Sequence, residues 1–210
     1  MRKLRHFRWD LFVLVIAGFW LTNAVSEAWA QRGGLTVPMN LARMVDESEN
    51  VVLARVTSVV AEPHPQFPNL DTVAVTLEVI DPLKGAPGKQ LTFRQFVFDV
   101  TDRDSKLGYR IGEEVVVCLR QASSYGLTSP VGFEQGRFRV ERDASNNRIL
   151  RNGDDNAALF DGVEQTVPNL RPRLAAAVQQ LVTQHHAGPV SYDQFKSFVN
   201  SVLAARQAGQ

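Results

Sequence analysis

The chain is poor in groups that react or staple. Cys118 is the only cysteine among 210 residues, which excludes an intramolecular disulfide. A chain without one has to be held by its core. Neither Gly-x-Ser-x-Gly nor His-Glu-x-x-His occurs, so two readable hydrolase signatures are missing. An excess of one charge is missing too, with 23 basic residues against 22 acidic ones. Such a balance gives no general electrostatic pull toward nucleic acid or anionic lipid.

What is present begins with the leader. Arg2, Lys3, Arg5 and Arg8 precede an apolar stretch at residues 11–21, and Ala28-Trp29-Ala30 places small residues around a cut. This is the three-part form of a secretory signal peptide over residues 1–30, with cleavage expected after Ala30. A retained anchor is the alternative. A bilayer span takes about 20 apolar residues, whereas Asp10 and Asn23 bracket a shorter run. Either version sends the body out of the cytoplasm, to the periplasm or beyond; with cleavage, the membrane is involved only during export. The leader holds four of the basic and two of the acidic residues, which leaves 19 against 20, a net charge of −1.

The body reads as strands followed by helices. Leu41, Met44, Val45 and Ser48 share one face of a short helix after Pro38. "NVVLARVTSVVAE" and "DTVAVTLEVI" carry β-branched residues in strand-like alternation. Between "LEVI" and "LTF", Pro82, Gly85, Pro87 and Gly88 form a connection. A phosphate-cradling loop needs a helix directly after it; here a strand follows, so the segment reads as a hairpin connection with Lys84 and Lys89 as solvated charges. In "KQLTFRQFVFDV" the apolar phase changes, which predicts a bulge near Gln95 or burial on both faces. "EEVVVCLR" is nearly unbroken and predicts a central strand, with Cys118 as a buried hydrophobe. Phe138 and Val140 then alternate with outward Arg137, Arg139 and Glu141, and "RILRN" forms a return strand. Leu174, Ala177, Val178, Leu181 and Val182 line one helix, and Phe195, Phe198, Val199, Val202 and Leu203 line a second behind a Ser191–Gln194 capping box. This order predicts an α+β fold: a small antiparallel Greek-key, OB-like β-barrel with a short amino-terminal helix over residues 38–165, and a helical hairpin over 168–206 packed on it. A sandwich is the alternative.

The run from "VLARV" at residues 52–56, through the Lys84-Gly85 and Gly112-Glu113 turns, to "QGRFRV" resembles a pattern in uncharacterised exported bacterial proteins with a netrin-like, or metalloprotease-inhibitor-like, OB barrel. The resemblance covers residues 41–151 and implies that fold. Inhibitors of that kind grip a catalytic zinc with an amino-terminal cysteine. The expected mature end here is Gln31, so that mechanism carries over to no residue of this chain.

Few residues invite chemistry. Asp154, Asp155, Asn156 and Asp161 in "RNGDDNAALFDG" offer oxygen ligands of the calcium kind, without the spacing of a calcium loop, while Leu159 and Phe160 read as core plugs. His185 and His186 are adjacent and point about 100° apart on a helix, unlike a chelating i, i+4 pair. His64 in "PHP" reads as a loop residue. Ser123 and Ser124 have no base near them in sequence. Phe93, Phe96 and Phe98 suit either stacking or core packing, and core packing is the expectation. No catalytic or cofactor-binding residue is assigned. The expectation is an exported non-enzymatic binding module whose partner is another exported protein or an envelope component, and not nucleic acid. An exported hydrolase with a site assembled only in three dimensions, or a structural subunit of an envelope complex, are the alternatives.

Overall fold

A computed structural model describes residues 37–209 of the chain; the leader and the expected cut after Ala30 lie outside them. The fold is α+β, with seven antiparallel strands and five helices among the described residues.

Helix α1 (Leu41–Glu47) starts at Asn40, whose side chain accepts from the Arg43 amide at 2.9 Å. Its Leu41, Ala42, Met44 and Val45 are buried. The acids at its far end are neutralised, Asp46 by Arg206 and Glu47 by Arg43 and Arg120. Lys84 is no solvated loop charge. Its ammonium donates to the Val45 carbonyl at 2.6 Å, placing a cation at the negative end of the helix dipole. Burial pulls the Lys84 pKa down, against the nearby Asp46.

Strands β1 (Asn50–Pro63), β2 (Asp71–Lys84) and β3 (Gln90–Phe96) form a meander, and β4 (Glu114–Leu119) returns to the other side of β1. Strands β5 (Arg137–Arg142), β6 (Arg148–Asn152) and the two-residue β7 (Val190–Ser191) follow, giving the order β3-β2-β1-β4-β5-β6-β7. The β2–β3 segment is the connection expected from its prolines and glycines. Gly85 sits at φ +83°, and a Cβ there would lie 2.3 Å from Asn50 Oδ1.

The consecutive apolar runs follow from burial on both faces of the sheet. Val51, Leu53, Val116 and Cys118 pack into a core shared with the helices. Val52, Ala54, Val56, Val115 and Val117 pack into a second core with Val73, Val75, Leu77 and Phe93. Strand β3 corrects the expected bulge. Its register with β2 is unbroken from Glu78↔Gln90 to Thr72↔Phe96, and the irregularities lie in the β1–β2 pairing instead. The phase change arises because polar Gln95 occupies an inward position and is buried.

Short helices α2 (Val100–Asp104) and α3 (Val163–Thr166) precede α4 (Ala176–Gln184) and α5 (Tyr192–Gln207). The capping box forms as expected, with the Gln194 amide donating to Ser191 Oγ at 3.2 Å. Phe195, Phe198, Val199 and Val202 of α5 are fully buried, with Phe195 edge-on to Phe138 of β5 at 5.0 Å. Burying a large apolar side chain is worth roughly 1.5–3 kcal/mol, so this stripe is a main tie between helix and sheet. Leu159 and Phe160 fill the same core. No helix among the described residues is long and apolar enough to cross a membrane.

Candidate functional site

The alternation of β3 decides which phenylalanines reach the surface. Phe93 and Val97 point into the second core, so Phe96 and Phe98 point away from it. Phe93 is packed as expected, edge-on to Tyr109 at 5.9 Å. Phe98 is not a core residue: 67% of it is exposed. Its ring meets Phe96 at 5.1 Å and 79°, and Phe133 at 5.7 Å and 70°.

Phe133 comes from the connection between β4 and β5. Gly132 and Phe133 both have left-handed backbones, at φ +66° and +55°. For a side chain with a Cβ that conformation costs roughly 1–2 kcal/mol. Phe133 is nevertheless 39% exposed, so the strained backbone presents a ring to solvent rather than to the core. Backbone strain of this kind concentrates at ligand clamps and binding sites.

The turn that carries Phe133 is anchored from below by Arg137, which is buried and not outward as its strand alternation predicts. One guanidinium nitrogen donates to Glu134 Oε1 at 2.7 Å and Oε2 at 2.5 Å, and the other donates to the Leu107 carbonyl. The guanidinium carbon also lies 4.5 Å from the centroid of the Tyr109 ring. One cation thereby ties the Phe133 turn to the 107–109 segment that follows Phe98. Burial raises the Tyr109 pKa well above its ordinary value, with the Arg137 charge pulling the other way.

The residues singled out in the sequence lie elsewhere and do not converge. Asn156 is fully buried: its Nδ2 donates to the Leu150 and Gly188 carbonyls, both at 2.8 Å, and its Oδ1 accepts from the Asn152 amide at 2.9 Å. Asn152 Oδ1 in turn accepts from the Asp154 and Asn156 amides. The loop is thus stapled by its two asparagines. Asp155 pairs with Arg151, while Asp161 is exposed and gives its backbone carbonyl to Asn40. Among the described residues no group of three or more His, Cys, Asp or Glu side chains is arranged to hold a metal.

His185 and His186 border a surface hollow of about 580 Å³ between α4 and the start of α5. His185 Nε2 lies 3.1 Å from the Gly188 carbonyl, and its ring packs edge-on to Phe160. His64 lies in the loop between β1 and β2, as expected, and is buried there. Its Nε2 lies 2.8 Å from the Tyr125 carbonyl and its Nδ1 accepts from the Gln66 amide, so both nitrogens are committed to backbone. Ser123, two residues from Tyr125, uses its hydroxyl to accept from the Leu127 amide. Cys118 is buried, and desolvation pushes its thiol up to about 12, against a hydrogen bond from Ser48.

Phe133 and Arg137 were not accessible to sequence reasoning. The one signal available was the Gly-Phe-Glu-Gln-Gly stretch, in which an aromatic residue stands between two glycines in a turn. Comparison with protein-family models, with curated proteins and with solved structures finds no match for this chain.

Proposed function

We propose that the chain is an exported, non-enzymatic binding module, acting in the periplasm or outside the cell on another exported protein or an envelope component. The observation that carries this reading is the Phe96–Phe98–Phe133 cluster: three edge-to-face rings at the surface, one of them on a strained backbone. Aromatic anchors of this kind dominate interface energetics because they bury much area at little entropy cost.

The framework behind them is, on this reading, the barrel expected from the sequence. The strand ladder itself is open between β3 and β4. Support for closure comes from the chain after β4. The Thr128 amide donates to the Arg94 carbonyl of β3 at 2.9 Å, and the Arg120 and Val131 amides pair this same segment with β4 at 3.2 and 2.8 Å. A five-membered wall of β1, β2, β3, the 127–131 segment and β4 would enclose the second core.

The test immobilises the mature chain, exposes it to solubilised envelope extract, and repeats the capture with Phe98→Ala. Capture of a component by the native chain but not by the variant is the expected result. Capture that is the same for both removes the cluster from the function.

A further inference from the structure

We propose that residues 98–109 form a strap that opens while the sheet stays folded, and that its closure assembles the aromatic surface; the second half rests on the binding reading. Val97 and Tyr109 anchor the strap in the second core, but none of residues 98–108 between them is buried. Helix α2 buries no side chain, and Val100 is 60% exposed. The backbone hydrogen bonds of the segment run within it. The Arg103 amide donates to the Asp99 carbonyl, Ser105 to Thr101, Gly108 to Ser105 and Tyr109 to Lys106. Its ion pair with β2, Arg103 to Asp71 at 3.3 Å, is exposed on both sides, and such pairs hold little.

Closure is strained. Lys106, Leu107 and Gly108 are left-handed in succession, at φ +52°, +54° and +72°, a backbone that residues with a Cβ resist. Tyr109 plugs the core with its hydroxyl buried and unpartnered, although a buried tyrosine hydroxyl ordinarily finds a partner. Arg137 lies over the ring instead and completes no hydrogen bond to that oxygen. Gln95 Oε1, on the inward row between Phe93 and Val97, is buried without a partner as well. The second core is imperfectly sealed where the strap enters it, and opening returns the Tyr109 hydroxyl to water. Segments with few buried contacts open locally at far lower free energy than core strands.

Opening dismantles the aromatic surface from both sides. Phe98 begins the strap, so its contacts with Phe96 and Phe133 go with it. Arg137, which holds the Phe133 turn through Glu134, loses the Leu107 carbonyl and the Tyr109 ring. A partner that covers the three rings needs the closed strap and, by linkage, holds it closed.

Hydrogen exchange of the mature chain, followed by mass spectrometry, reads the strap directly. Peptides from residues 98–109 should exchange about a hundredfold faster than those from β1 and β4, with the sheet folded. Tyr109→Phe removes the sealed hydroxyl and keeps the ring, so strap exchange should slow roughly tenfold. Gly108→Ala sets a Cβ at positive φ 3.2 Å from Arg137 Nη2 and should speed it roughly tenfold. In both variants β1 and β4 should remain far slower than the strap. In the chain that has captured a component from envelope extract, exchange should slow across residues 101–109 as well as at Phe98. Strap exchange as slow as that of β1 and β4, or no slowing in Tyr109→Phe, overturns the strap. Unchanged strap exchange after capture that depends on Phe98 overturns its coupling to the surface. If Phe98→Ala captures as much as the native chain, the binding reading falls while the exchange pattern still decides the strap.

Discussion

Replacing Asn156 separates a stapled loop from a calcium loop. In Asn156→Ala the Leu150 and Gly188 carbonyls and the Asn152 amide lose their partner together. Each such hydrogen bond contributes about 1 kcal/mol net, and more when the abandoned group stays buried. Alanine must also hold the left-handed backbone of the site, φ +57°, at roughly 1 kcal/mol beyond what asparagine pays. The expected loss is about 4 kcal/mol, a large share of the 5–15 kcal/mol typical of a domain (about that range). Asn156→Asp keeps the acceptor for Asn152 but turns an oxygen toward both carbonyls. Its carboxyl is then easier to keep protonated when folded, so its folded pKa rises above the unfolded value of about 3.9. The penalty should be smallest below that pH and grow as pH rises. Urea unfolding of the three proteins between pH 4 and 8, with and without millimolar calcium, reads all of this. The reasoning is refuted if Asn156→Ala costs less than about 1 kcal/mol. It is equally refuted if Asn156→Asp gains stability with rising pH, or if calcium restores it, as Asp154, Asp155 and Asp161 acting as ligands would require.

Other perturbations test the framework. Glu114 holds Arg148 at 2.8 Å, Arg55 at 3.1 Å and Arg142 at 3.4 Å. The hydrogen bond from Arg148 keeps its pKa below the ordinary range, with burial opposing. Its stabilisation is therefore present above the unfolded glutamate pKa of about 4.3 and lost as pH falls through the lower folded value. Glu114→Gln should cost roughly 1–3 kcal/mol at pH 7, with the gap to the native chain closing toward pH 3 in acid-unfolding curves. Cys118 should resist thiol reagents in the native chain and react only at the rate of unfolding, as followed by time-resolved mass spectrometry. Gly85→Ala forces a Cβ against Asn50 and the Glu49 carbonyl at positive φ; thermal melts should show a loss of at least about 1 kcal/mol.

The buried parts of the fold were legible because burial leaves a periodic mark. Five consecutive residues of β4, Val115 to Leu119, could be read as central since both faces of the strand meet apolar cores, and the α5 stripe carries its own cap signal. Positions whose role depends on distant partners leave no such mark. Lys84 reads as a loop charge until α1 places the Val45 carbonyl beside it. Arg137 obeys strand alternation in sequence, but the 107–109 segment covers it. Phe98 looks like another core aromatic, because nothing local reveals that the side it shares with Phe96 faces away from the second core. The aromatic site was half visible: Phe96 and Phe98 could be picked out as a pair, while Phe133 joins them only through tertiary structure.

The central claim is that the Phe96–Phe98–Phe133 cluster stands at the surface to be covered by a partner. Hydroxyl-radical footprinting of the mature chain tests it most directly. Phe98 and Phe133 should oxidise readily in the isolated protein, far faster than buried Phe138 and Phe195, and become protected when the captured envelope component is added. Slow oxidation of Phe98 in the isolated protein, or an unchanged rate once that component is bound, would contradict the account.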